Sequence, residues 1–198
     1  AETGATVVPA FDAADVMAGQ GTIAAEIVEE LGHAPDVVVV PVGGGGLLGG
    51  VATWFRDRHP QTRVVGVEPA GAPSMTAALE AGEPVTLEEM DGFVDGAAVR
   101  RVGDLTYAAV AAADVEMVTV PEGAICVEML ALYQTEGVIA EPAGALASAA
   151  LTTLDQEVAD EVLALAIEVA RQMIRHSLVE HPESVAELIR EALLQLPQ

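Results

Sequence analysis

The chain has 198 residues, of which 52% are hydrophobic and only 3% aromatic, enough to bury a core and too apolar for general disorder. Thirty-one acidic residues face eight basic ones, a formal charge of -23. A surface that acidic repels phosphate backbones and anionic lipid headgroups, so nucleic-acid and membrane-surface roles are disfavoured. No apolar run reaches the roughly 18 to 20 residues of a membrane helix, and no signal peptide is visible, so a soluble, cytoplasmic protein is expected. Cys126 is the single cysteine, which suits a reducing compartment.

In chain order, Val7-Val8-Pro9 reads as a strand tail and Gly19-Gln20-Gly21 as a turn. Thr22 is placed to cap a helix through Ile23, Ile27 and Leu31, stopped by Gly32-His33. Val37 to Val40 are four consecutive valines, as expected for a strand buried on both faces of a parallel sheet. Pro41-Val42-Gly43-Gly44-Gly45-Gly46-Leu47-Leu48-Gly49-Gly50 leads into a helix through Trp54 and Phe55, and Arg63 to Glu68 form the next strand. Strand, glycine turn, helix and strand make a βαβ unit.

Beyond it the sequence predicts a helix over Met75 to Glu80 and a short strand within Asp91 to Gly96. A helix over Leu105 to Ala113 follows, then a strand over Glu116 to Val120 and a helix from Glu122 to Glu136 closed by Gly137. Glu141-Pro142-Ala143-Gly144 opens one more helix. The fold class is α/β, a mostly parallel sheet with flanking helices. After Leu151 the texture changes. Val158, Val162, Leu165, Val169 and Met173 recur at helical spacing, and His181-Pro182-Glu183 starts a second helix. The expected organisation is an α/β domain over residues 1–150 and an amphipathic α-helical hairpin over 151–198. The hairpin is expected to dock on the α/β body or on a second copy of the chain, which makes it a route to a homo-oligomer.

Four glycines between a buried strand and a helix are the strongest chemical signal. Without Cβ atoms, they let backbone N–H groups converge at the positive end of the helix dipole, where a phosphate monoester fits. The same glycines also suit close helix–strand packing, and the run of four favours the phosphate. No Gly-Lys-Ser/Thr follows, which removes the Walker lysine; Glu68, about twenty residues on, leaves a dinucleotide reading weakly alive. His33, His59, His176 and His181 share no ligand spacing, so no metal site is expected. Cys126, between Ile125 and Val127, reads as a buried structural thiol, and no serine sits in a nucleophile elbow. Glu68 reads as a solvated strand end.

Residues 1–150 resemble threonine dehydratase, a pyridoxal-phosphate enzyme of the tryptophan-synthase-β group (fold type II). The matching segments are Pro9-Ala10-Phe11-Asp12, Ala18-Gly19-Gln20-Gly21-Thr22, Pro41 to Leu47 and Gly66-Val67-Glu68-Pro69. They continue with Phe93 to Val99, Arg101-Val102-Gly103-Asp104 and Glu136 to Ala145. The resemblance implies deamination of threonine or serine to a 2-oxo acid and ammonia, in isoleucine biosynthesis. It implies that Gly43, Gly44, Gly45, Gly46 and Leu47 hold the cofactor phosphate and that Gly96 and Glu141 line the ring pocket. Some relatives place a cation ligand at the position of Glu68, though one carboxylate makes no site.

The departures carry equal weight. The family's Schiff-base lysine lies in an amino-terminal half that the chain is expected to lack, and all eight basic residues here are arginine. The family's later loop facing the pyridine nitrogen is also not found after residue 151. No catalytic residue is therefore expected within these residues, and the chain alone is expected to be inactive. Its small-molecule amino-acid substrate would need the missing half. Residues 151–198, with Thr153 to Glu157, Val169 to His176 and Pro182 to Leu193, resemble flagellar assembly protein H, a regulator of the flagellar export ATPase. A recombined, non-catalytic scaffold with a helical interaction surface is the alternative.

Overall fold

The computed structural model describes residues 6–152. Three parallel strands, β1 (Val37–Pro41), β2 (Arg63–Pro69) and β3 (Glu116–Val120), lie in the order β1-β2-β3. Val37 pairs with Arg63 at one end and Pro41 with Val67 at the other; Val65 pairs with Glu116 and Pro69 with Val120. The helices are α1 (Ala14–Leu31), α2 (Gly46–Arg58), α3 (Ser74–Ala81), α4 (Asp104–Ala112) and α5 (Glu122–Ala131). One π-helical turn, Leu132–Glu136, prolongs α5, and residues 142–152 form α6.

Strand alternation sorts the core into two layers. Val38 and Val40 pack with Leu48, Val51 and Phe55 of α2, Ala24 of α1, Met75 of α3 and Val110 of α4. Val65 and Val67 point the other way, onto Ile125 of α5 and Ala145, Leu146 and Ala149 of α6. Helices on both faces of a parallel sheet are what the valine runs require. Each strand's carboxyl end delivers the chain to the same edge, so the β1–α2 turn, the segment after β2 and the start of α5 gather there.

The α/β class, the three strands and α2 through α5 stand where the sequence puts them, within a residue or two, with α5 ending in a π turn. The amino-terminal part differs. Residues 6–9 carry no strand, and α1 begins eight residues before Thr22. Thr22 caps nothing; its hydroxyl donates to Gly19 O at 2.9 Å inside the helix. Gly19 and Gly21 both lie inside α1, and Gly21 stands where the backbones of α1 and α2 touch: a Cβ on Gly21 would sit 3.0 Å from Gly50 O, and one on Gly50 would run into Met17 O. Helix contact, not a turn, uses Gly21, while Gly19 faces open space. Residues 93–96 form bends and a turn rather than a strand. Cys126 is exposed, since Ile125 takes the buried position of α5. The predicted hairpin lies, but for its first two residues, outside the described residues.

Candidate active site: a glycine cradle at the end of the first strand

β1 runs out at Pro41, and the chain turns through Gly43–Gly45 before α2 begins at Gly46. Gly45 is the N-cap, at φ 90°, in the left-handed region that a side chain resists, and no side chain caps the helix. The first N–H groups of a helix have no intrahelical partner. The N–H groups of Gly43, Gly44 and Gly45 likewise carry no hydrogen bond among the described residues. Donors without partners at a positive helix end form a cradle for an anion.

The cradle opens into a pocket of about 530 Å³ lined by Gly43, Gly44, Gly46, Leu47, Gly96 and Glu141, among others. Gly45 alone of the predicted set does not line it; its α-carbon faces Met75 and Thr106 behind the loop. Gly96 sits in the turn after Val94, and Glu141 stands at the start of α6, where its carbonyl accepts from Ala145 N at 3.1 Å. The two meet: a Cβ on Gly96 would lie 3.0 Å from Glu141 Oε1. Pro142, the first residue of α6, lacks the N–H that this position would leave unpaired.

Residues outside the predicted set complete the pocket. Phe11 lies flat against the loop, leaving no room for a Cβ at Gly44, and Gln20 of α1 and Val99 also line the wall. Gln20 and Phe11 stand in segments that carry the family resemblance, but their period and polarity alone gave them no role. Asp12 acts behind the loop: its carboxylate accepts from Asp104 N at 3.2 Å and Leu105 N at 2.9 Å, capping α4.

Glu68 corrects the sequence reading most sharply. It is fully buried, not a solvated strand end. Its Oε1 accepts from Met75 N at 2.6 Å, while Oε2 accepts from Thr76 N at 2.9 Å and Thr76 Oγ1 at 2.7 Å. Burial pushes its carboxyl above the ordinary value, and these hydrogen bonds only partly offset that. Ser74 Oγ, also buried, lies near enough to favour the charged carboxylate without making a well-formed hydrogen bond. Glu68 ties the end of β2 to the first turn of α3. Among the described residues no cluster of three or more His, Cys, Asp or Glu could hold a metal ion.

A second groove of about 600 Å³ runs between α1 and α2, lined by Met17, Ala18, Thr53, Trp54 and Leu105 among others. It is more apolar than the glycine pocket and lies along two helix flanks, away from the α2 N-terminus.

Residues 1–167 match the profile of the family described as "Pyridoxal-phosphate dependent enzyme". The chain belongs to this family. It is 59% identical over 165 residues to the L-threonine dehydratase biosynthetic IlvA of Mycobacterium bovis, a match covering 82% of this chain and 38% of the relative. The Bacillus subtilis protein of the same name is 47% identical over 146 residues, covering 74% and 35%. The chain thus spans under two fifths of the length of these curated relatives. Among solved structures, a threonine deaminase from T.th. aligns with a TM-score of 0.73 at 36% identity, covering 77% of this chain and 56% of the other. The processed form of threonine deaminase isoform 2 from Solanum lycopersicum aligns at 0.69 and 42%, covering 74% and 42%. The fold is that of the fold-type II pyridoxal-phosphate enzymes, and pyridoxal phosphate is the family's cofactor. Residues 142–198 also match the profile of "Flagellar assembly protein FliH", a partial match to under a third of the chain. No helix among the described residues is long and apolar enough to cross a membrane.

Proposed function

We propose that this chain is the phosphate-holding portion of a threonine or serine dehydratase. It binds pyridoxal phosphate through the N–H groups of Gly43–Leu47, with Gly96 and Glu141 beside the ring. The observation that carries this is the row of unpaired N–H donors at the mouth of a pocket of about 530 Å³, a size that suits a cofactor. When bound, the cofactor supplies an electron sink for the deamination of a hydroxy amino acid to a 2-oxo acid and ammonia. The chain's own residues bind and orient: the loop fixes the phosphate, and Phe11 closes the loop's flank.

Turnover is a different matter. The 198 residues contain no lysine, so the cofactor's aldehyde finds no lysine amine within them. The chain alone therefore binds without turning over, and a small amino-acid substrate is handled only when the rest of the family fold is supplied. Titration with pyridoxal phosphate, borohydride reduction and intact-mass measurement test this, beside an assay for 2-oxobutanoate from threonine. Saturable binding, no adduct on an internal side chain and no product are expected. A stable internal adduct, or product from the isolated chain, would overturn the reading.

The match of residues 142–198 to the flagellar assembly family favours one second reading, a non-catalytic recombined scaffold whose last residues serve as a helical interaction surface. The same titration separates the two, because a scaffold has no reason to bind pyridoxal phosphate.

A further inference from the structure

Thr106 is fully buried in α4, away from the pocket lining, yet its hydroxyl reaches the glycine loop. Thr106 Oγ1 donates to Gly44 O at 2.7 Å, with Gly103 O a second acceptor at 3.2 Å. A hydroxyl carries one proton, and the shorter contact, which spans 62 positions of sequence, holds it. Gly103 N approaches the same Gly44 carbonyl at 3.5 Å. Asp12 sets the helix that presents this hydroxyl. Its carboxylate caps α4 through Asp104 N and Leu105 N, and it packs so closely on Gly103 that no Cβ fits there.

The consequence follows from peptide geometry. A planar trans peptide points its C=O and N–H in opposite directions, and the described chain has no cis peptide. Drawing Gly44 O toward α4 therefore turns Gly45 N–H the opposite way, to the side where Gly43, Gly44 and Gly46 line the pocket. Gly45, at φ 90°, supplies the backbone state this orientation needs.

We propose that Thr106 is a positioning residue for phosphate binding: its hydroxyl holds the Gly44–Gly45 peptide so that Gly45 N–H faces the pocket, and Asp12 holds α4 where that bond can form. The proposal rests on the reading of Gly43–Leu47 as a phosphate cradle. It adds a residue that touches neither cofactor nor substrate.

The test compares the whole chain with Thr106→Val, which keeps the shape and removes the hydroxyl, and Thr106→Ser, which keeps the hydroxyl. Val110→Ala serves as a control that loosens α4 without touching Gly44. Pyridoxal phosphate and inorganic phosphate are titrated into each, and the Gly45 amide resonance and melting temperature are recorded. T106V should weaken both ligands by about tenfold and move the Gly45 amide, T106S should restore both, and V110A should lower the melting temperature with affinity unchanged. If T106V binds as the parent does, or V110A loses as much affinity as T106V, the proposal fails. If the parent binds neither ligand, the cradle reading fails and takes the positioning role down with it, whereas a parent that binds while T106V leaves the Gly45 amide unmoved overturns the positioning role alone.

Discussion

Glu68 Oε2 accepts two hydrogen bonds from a single residue, Thr76, at 2.9 Å from its N–H and 2.7 Å from its hydroxyl. With Oε1 on Met75 N, the carboxylate faces three donors inside the protein. Glutamine cannot replace it cleanly, because its amide NH₂ would face donors. Glu68→Gln should cost about 1 to 3 kcal/mol, the usual penalty for buried groups left unpaired.

The size of that cost should depend on pH. Burial raises the folded-state value of Glu68 above its ordinary 4.5, so between the two values the folded chain holds a proton that the unfolded chain has released. Stability contributed by this group therefore falls as pH rises through that window. The advantage of the parent over E68Q should be largest near about pH 4 and shrink upward, by at most about 1.4 kcal/mol per pH unit. Paired melting curves from acid to neutral pH measure it. An advantage that grows with pH would mean the three hydrogen bonds outweigh desolvation.

The face of Phe11 fixes what may stand at Gly44. A Cβ there would enter the ring, so Gly44→Ala should abolish pyridoxal phosphate binding and lower the melting temperature. Phe11→Ala frees that space. In the double variant the alanine at 44 should cost much less than it does alone, since residues in contact are not additive. Equal costs in both backgrounds would show that the backbone at Gly44, not the ring, forbids the side chain.

Much of this fold was legible in the chain because its signals are local. Val37–Val40 announces a strand buried on both faces, and Gly32, Gly82 and Gly137 end their helical segments at φ 73°, 75° and 69°. Gly43–Gly46 announces the turn from β1 into α2 for the same reason, with Gly45 at φ 90°. What the sequence hid is long-range. Glu68 ends its strand as a surface carboxylate would, and only α3 folding over it makes it a buried cap. Gly21 reads as a turn until Gly50 is brought against it. Thr106 sits in an alanine-rich helix with nothing nearby to mark it, and its acceptor lies in another βα unit.

Cys126 offers a direct check on the face of α5. It is exposed beside Val127 and Leu130, which are also exposed, while Ile125 points into the core. The native chain should react with a thiol reagent at one site, at nearly the rate of the unfolded chain. Protection until unfolding would mean that this face is covered in solution. Alkylation should leave pyridoxal phosphate affinity unchanged, because Cys126 does not line the glycine pocket.

The charge of -23 makes salt the last test. Among the described residues three ion pairs form, Arg56–Asp57, Arg63–Glu116 and Arg101–Asp104, all on the surface where such pairs contribute about 0 to 1 kcal/mol. They cannot offset thirty-one carboxylates, so compaction crowds like charges and repulsion opposes folding. Raising sodium chloride from about 0.01 M to 1 M shortens the screening length from about 30 Å to 3 Å. The melting temperature should climb by several degrees, with about 2 to 4 °C for each kcal/mol of repulsion relieved in a chain of this size. Chloride is the right anion for this measurement, because sulfate and phosphate both strengthen apolar burial and, on the proposed reading, are ligands of Gly43–Leu47. Screening also predicts the shape of the curve: most of the rise should come below about 0.3 M, where the screening length changes fastest. A rise that continues linearly to 1 M would point to salting-out of apolar surface, and a flat or falling curve would show that the carboxylates are too dispersed to repel.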